Sequence, residues 1–200
     1  MTQRAATRTN PFRYPHSAAA CSPKISVRIP SPPRSPVVTV VTKLNRTTYR
    51  LSTEQWFPYP LDDVFDFFAD ASNLEKITPP WLNFTILTPD VIMREGATID
   101  YRLKLKGVPI IWRTEIPVWD PPNRFVDNQL QGPYKKWYHR HLFEAQDGGT
   151  LVKDIIDYIV PGGAVINKIF VEPDVRKIFR HRQQRLAYIF PTPDTSVQTT

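Results

Sequence analysis

The chain has 200 residues, 41% of them apolar and 12% aromatic, enough to build one sizeable core, with a formal charge of +7 and a pI near 9.6. Its one cysteine, Cys21, excludes an internal disulfide and a cysteine-based metal cluster, and no apolar run approaches the roughly 20 residues of a membrane-spanning helix. The charge is uneven: nine of the 26 Lys and Arg precede Glu54, the first acid, so the remaining 17 face 19 acidic residues and the basic excess belongs to the N-terminal segment.

Residues 1–46 contain seven prolines and no acid. Arg4, Arg8, Arg13, Lys24, Arg28 and Arg34 lie among Ser, Thr, Ala and Pro, the acid-poor character of an organelle transit peptide, while the prolines oppose the amphipathic helix of a mitochondrial presequence. A disordered basic tail, a plastid or mitochondrial transit peptide, and a start assigned too far upstream all fit. The segment lacks the apolar core of a secretory signal, and a cytoplasmic, reducing compartment is the default expectation. Val37 to Val41 is a short apolar run, a stray strand or nothing. The folded domain is expected over residues 47–190, with 191–200 as a disordered C-terminal tail.

Tyr49, Leu51, Thr53, Gln55 and Phe57 alternate with polar residues as a strand does, until Pro58 and Pro60 end it. Leu61 to Asp70 then places Leu61, Val64, Phe65, Phe68 and Ala69 at helical spacing, with Asp62 and Asp63 in the first turn, where the backbone dipole favours carboxylates. Asn73 to Ile77 is a second short helix, closed by Thr78-Pro79-Pro80. Strands are predicted over Asn83 to Thr88, Thr98 to Leu105, Ile110 to Trp119 and Arg124 to Leu130. Gly132-Pro133 turns into another over residues 136–143, and Asp147-Gly148-Gly149 makes a hairpin to a last strand from Thr150 to Val160. Short strands at hairpin spacing imply one antiparallel sheet. After Pro161-Gly162-Gly163 the longest helical signal runs from Ala164 to Phe190. Val165, Ile169, Val175, Ile178, Phe179, Leu186 and Ile189 form its expected sheet-facing stripe, and Pro173 is expected to kink or divide it near Phe170 to Glu172. Arg176, Lys177, Arg180, His181, Arg182 and Arg185 are assigned to a solvated opposite face. Helices segregated from an antiparallel sheet make the fold class α+β.

The strand over 136–143 is the most informative stretch. Period-two alternation points Trp137, His139, His141 and Phe143 one way and Lys136, Tyr138, Arg140 and Leu142 the other. A one-residue slip would exchange the faces, so register decides which set lines any cavity. Asp127 and Gln129 share a face of the preceding strand, within reach of a histidine across the hairpin or in solvent. His139 and His141 can offer two metal ligands from one face, but no third is apparent, so no metal is expected; without a Gly-rich phosphate loop, nucleophile elbow or HExxH pattern, no cofactor is expected.

In this order the chain carries Phe57-Pro58-Tyr59-Pro60-Leu61-Asp62-Asp63-Val64-Phe65, Phe67-Phe68-Ala69-Asp70, Asn73-Leu74, Ile77-Thr78-Pro79-Pro80-Trp81 and Phe84. Later come Trp119, Pro121-Pro122, Phe125-Val126-Asp127, Gln129, Gly132-Pro133-Tyr134, Trp137, His139, His141-Leu142-Phe143 and Asp157-Tyr158. Over about residues 47–190 this resembles the SRPBCC group, the START-like or Bet v 1-like helix-grip proteins, in the ligand-binding branch grouped with polyketide cyclases and dehydrases. Pro173 and the N-terminal segment depart from the family pattern. The resemblance implies a curved sheet gripping the long helix, two short helices after the first strand, and a cavity for a lipid, sterol, isoprenoid or polyketide-like molecule. Candidate lining residues are Tyr101, Trp112, Trp137, His139, His141 and Phe143 from the sheet, with Ile169, Phe170 and Phe179 from the helix.

A non-catalytic carrier or sensor of a hydrophobic small molecule is the first reading. The alternative is cyclase or dehydratase chemistry, with His139 or His141 as general acid or base and Asp127 or Asp154 orienting it. A third is docking on a membrane or ribonucleoprotein through the basic helix and tail. Because the charge lies mostly outside the domain, nucleic acid is not expected as a partner; peripheral membrane contact remains open, and a monomer is expected.

Overall fold

The computed structural model describes residues 39–192. An open eight-stranded antiparallel sheet holds the order β1-β2-β8-β7-β6-β5-β4-β3, and the long C-terminal helix completes a helix-grip α+β fold. The strands are β1 (Val40–Lys43), β2 (Thr48–Phe57), β3 (Thr85–Ile86), β4 (Thr98–Leu105), β5 (Val108–Asp120), β6 (Arg124–Gln131), β7 (Lys136–Gln146) and β8 (Gly149–Ile159). Two short helices, α1 (Leu61–Ala69) and α2 (Asn73–Ile77), follow β2. β1 pairs with β2 from Val40↔Ser52 to Lys43↔Tyr49, so the sheet starts ahead of Thr47, where the alternation alone placed its beginning. The rest of the predicted N-terminal tail, and the C-terminal tail beyond residue 192, lie outside the described residues. Among the described residues no helix is long and apolar enough to cross a membrane.

β2 and β8 pair over ten residues, from Thr48↔Ile159 to Phe57↔Thr150. Asp147 and Gly148, with φ of 51° and 72°, turn β7 into β8; the left-handed backbone at both positions suits Asp-Gly and matches the twist of the paired strands. The expected strand from Asn83 to Thr88 shrinks to two residues. Asn83 adopts φ 43°, closing the 3-10 turn Pro80–Leu82, so the ladder starts only at Thr85.

Pro173 does not divide the C-terminal helix. Gly163–Ile166 (α3), a π-helical turn at Asn167–Val171 and Glu172–Ile189 (α4) follow one another directly. The Val171 and Glu172 backbones remain right-handed helical, and Pro173 falls in the first turn after the widened segment, where its missing N–H costs least.

The sheet's inner face carries two apolar clusters. One groups Phe57, Val64, Phe65, Phe68, Phe125, Phe143, Val152 and Leu186 under α1; the other groups Tyr49, Leu51, Ile156, Tyr158, Val175 and Phe179 under the first half of α4. Phe143 lies in the first, edge-on to Phe65 and Phe68 at 5.2 Å each and 5% exposed. It borders neither internal cavity, so the expectation that it contacts ligand gives way to a packing role: the rings of α1 cover it. Phe143→Ala should lower the unfolding free energy by about 3–5 kcal/mol, the cost of truncating a packed ring. Urea titration checks this, and a loss below about 1 kcal/mol would place the ring outside the core.

Candidate functional site

Between the two clusters runs a row of inward polar side chains, buried except for the half-buried Asp127, one from each of four neighbouring strands and a second from β7. Pairing sets Thr53 of β2 opposite Asp154 of β8, Asp154 opposite His141 of β7, and His139 of β7 opposite Asp127 of β6. All five project to the inner face because each falls on the inward phase of its strand. His139 Nε2 lies 2.9 Å from Asp154 Oδ1, and His141 Nε2 lies 3.1 Å from Asp127 Oδ2. His141 Nδ1 is 2.8 Å from Asp154 Oδ1, off the direction of a good hydrogen bond. The Thr53 hydroxyl donates to Asp154 Oδ2 at 3.5 Å, and Phe125 stacks on His141 with centroids 4.2 Å apart.

The charges follow from these contacts. Burial, together with the charge on His141, pushes the His139 pKa down to about 4, so the ring is neutral. Because a carboxylate only accepts, His139 carries its hydrogen on Nε2, facing Asp154. Burial also opposes a charge on His141, but the hydrogen bond to Asp127 and the contact with Asp154 outweigh it and hold this pKa above its ordinary value. Burial disfavours the Asp154 carboxylate, yet Arg182 and both histidines keep its pKa well below the usual range. Asp127 is likewise lowered against its burial, first by the His141 hydrogen bond. The two carboxylates thus face Arg182 and a His141 whose protonated form they favour.

Arg182 is the residue that the sequence pattern misassigned. It was placed on the solvated face, but its guanidinium lies 5.6 Å from the Phe68 ring and 5.9 Å from Phe179, and it borders both internal cavities. Its Nε is buried with no hydrogen-bond partner among the described residues. The signal was present: Val175, Phe179, Arg182 and Leu186 follow a three-to-four-residue spacing, so the buried stripe passes through position 182. Part of the predicted basic surface is also engaged, since Lys177 sits 4.3 Å over Trp81 and Arg176 is paired with Glu172.

The larger internal cavity, about 130 Å³, lies between sheet and helix on the His139 side of the polar row. Tyr101, Trp112, Trp137, His139 and Phe179 line it as anticipated, joined by Tyr134 and Asp127. Tyr101 and Trp112 stack at 6.0 Å, and both donate or share hydrogen bonds at the Thr114 hydroxyl. Burial, then the Asp127 charge, pushes the Tyr101 phenol pKa up, so it remains a donor. A smaller void of about 40 Å³ lies beyond the row, and His141 borders that one instead. A wider groove of about 470 Å³ along the β3–β4 edge is lined by Asn83, Phe84, Arg102 and Lys104, and none of the polar row borders it.

Ile169 and Phe170 were expected in the lining and are not there: they are 58% and 48% exposed. Both lie within the π-helical turn Asn167–Val171, which interrupts the phase that regular spacing would carry back from Val175. The single stripe read from Val165 to Ile189 therefore combines two faces, and the outer one carries Val165, Ile169 and Phe170.

The sequence profile of a family described as polyketide cyclase / dehydrase and lipid transport matches residues 57–187. Among solved structures, protein Ms6760 from Mycobacterium smegmatis is similar at 22% identity and TM-score 0.56, covering 77% of this chain and 97% of its own. Major latex-like protein 151 from Panax ginseng gives 14% and 0.55, with 73% and 99% covered. Protein CV1439 from Chromobacterium violaceum gives 12% and 0.57, with 72% and 98% covered. At these identities the three establish the fold, not a shared ligand. No curated protein matches the chain.

Asp154→Ala should cost about 3–5 kcal/mol, because it leaves buried cationic charge unbalanced. Lys153→Ala, which removes the exposed 3.2 Å pair with Glu144 on the opposite face, should cost no more than about 1 kcal/mol. Denaturant titration of both variants compares them, and equal losses would contradict the charge assignment.

Proposed function

The chain belongs to the polyketide cyclase / dehydrase and lipid transport family, and from that premise we propose that it is a carrier or sensor of a hydrophobic small molecule. The observation that carries this reading is the cavity between sheet and helix, walled by Tyr101, Trp112, Tyr134, Trp137 and Phe179 and ended by His139 and Asp127. Its walls favour an apolar ring or chain, and its inner end can orient one hydroxyl or carbonyl group. At about 130 Å³ it is smaller than the roughly 300 Å³ at which drug-sized sites begin. A lipid, isoprenoid or polyketide-like ligand therefore places only a ring-sized part inside the cavity or widens it on entry.

A catalytic reading is favoured by one feature, the neutral His139 beside Asp127 at the cavity's inner end. With His139 as general base, an enolisable carbonyl compound would be the substrate, as in cyclase or dehydratase chemistry. Binding and catalysis separate in one variant: His139→Gln should abolish turnover in the second case, whereas in the first no turnover of the bound compound is seen in the wild type and the substitution only weakens binding.

The first experiment is native mass spectrometry of the protein isolated from its own host, followed by denaturing extraction of any co-purifying molecule. A stoichiometric apolar compound is the expected result. In titrations with that compound, Tyr101→Ala and Trp137→Ala should each raise the Kd about tenfold, the equivalent of about 1.4 kcal/mol of lost ring contact. Exposed Arg180→Ala should leave it unchanged. Equal effects at all three positions would remove the cavity from the binding site.

A further inference from the structure

We propose that Asp127, His139 and His141 form a binding site for a divalent first-row transition-metal ion at the inner end of the cavity. The sequence offered two imidazoles from one strand; the fold supplies the third donor across the β6–β7 ladder, where Asp127 pairs with His139. One donor atom from each residue lies within 4.8 Å of the other two. Asp127 Oδ2 is 3.1 Å from His141 Nε2 and 3.9 Å from His139 Nδ1. Donors around a tetrahedral ion with bonds of about 2.0–2.2 Å stand about 3.3–3.6 Å apart, so shifts of about 1 Å or less close the triangle.

Two further features favour an ion over a purely structural network. His139 directs Nε2 to Asp154 at 2.9 Å and leaves its Nδ1 3.9 Å from Asp127 Oδ2, a gap too wide for a hydrogen bond. A cation between them bridges that gap. In addition, Asp154 Oδ1, which lies 2.8 Å from His141 Nδ1 but off hydrogen-bond geometry, holds the far nitrogen of His139 at 2.9 Å. This is the outer-shell support that fixes metal-bound histidines.

Arg182 lies close enough to influence both carboxylates. With both imidazoles neutral, two carboxylates and one guanidinium leave a single negative charge for the ion. The surplus positive charge then selects an anionic or ionisable oxygen as the fourth ligand, reached from the cavity that Asp127 and His139 border. A metal-bound Nδ1 cannot serve as a base, so the ion and direct general-base catalysis by His139 exclude each other. The proposal stands apart from the hydrophobic-ligand reading, and either can fail without the other.

The full chain, stripped with chelator, is titrated with Co²⁺ and then challenged with Zn²⁺. One Co²⁺ per chain with visible ligand-field bands, displaced by Zn²⁺, is expected. Asp127→Asn and His139→Gln should each weaken affinity at least tenfold, and Asp154→Asn about 10–100-fold as a positioning residue. His181→Ala and Cys21→Ser should leave it unchanged. X-ray absorption on the wild-type complex should show two imidazoles and no sulfur, which keeps the test decisive if a variant fails to fold. Absence of stoichiometric binding, affinity unaltered in folded Asp127→Asn and His139→Gln, or a sulfur or single-imidazole shell would overturn the proposal.

Discussion

The fold turns on a charge balance inside the sheet. Asp154, His139 and His141 are buried on the same face as the half-buried Asp127 and Arg182, and charges so withdrawn from water persist only when they have partners. The balance also fixes register. Shifting β7 by one residue would turn Tyr138, Arg140 and Leu142 inward and leave both carboxylates without their imidazoles. Apolar alternation alone would tolerate such a slip more readily, so the polar row adds specificity where the two apolar clusters meet.

The helix is set by the same row. Val175, Phe179 and Leu186 bury against the sheet, and Arg182, in phase with them, lies close enough for its charge to act on both carboxylates. Any rotation of α4 that released Arg182 would also expose Phe179, so hydrophobic packing and charge compensation favour one orientation. The π turn before Pro173 absorbs the proline upstream of this contact, leaving the stretch from Val175 to Leu186 undisturbed.

Much of this was legible in the sequence because strands write their faces at a period of two. Trp137, His139 and His141 fall where alternation puts them, and Asp127 lies across the hairpin from them. What failed depended on helix phase and on partners far along the chain. Ile169 and Phe170 looked like continuations of the stripe because apolar residues near a proline and a π turn cannot be phased by spacing alone. Arg182 looked solvated because charge outweighed position in the reading of that face. Phe143 shared the correct face, yet whether an inward ring lines a cavity or fills a core depends on what covers it, and α1 covers it. β1 was only one of two readings of its short apolar run, because its pairing with β2 is a property of the assembled sheet.

An inward row of two carboxylates, two imidazoles and a guanidinium is a poor way to obtain stability, since well-packed apolar side chains of similar volume commonly serve as well or better. Two cavities flank this row, and the larger is mostly apolar, with Asp127, His139 and Arg182 as its charged or titratable lining. A carrier that needed only apolar walls would gain by extending them through this position. Polar groups convergent at one end of an apolar cavity instead select a molecule with a polar terminus and fix which end enters first. Specificity in such a site comes from the unpaired capacity of the row, the Arg182 Nε and the free side of His139, because an occupant that leaves these groups unsatisfied forfeits more than apolar contact can return. The cavity therefore sets apolar walls at Trp112, Trp137 and Phe179 against polar groups at Asp127 and His139.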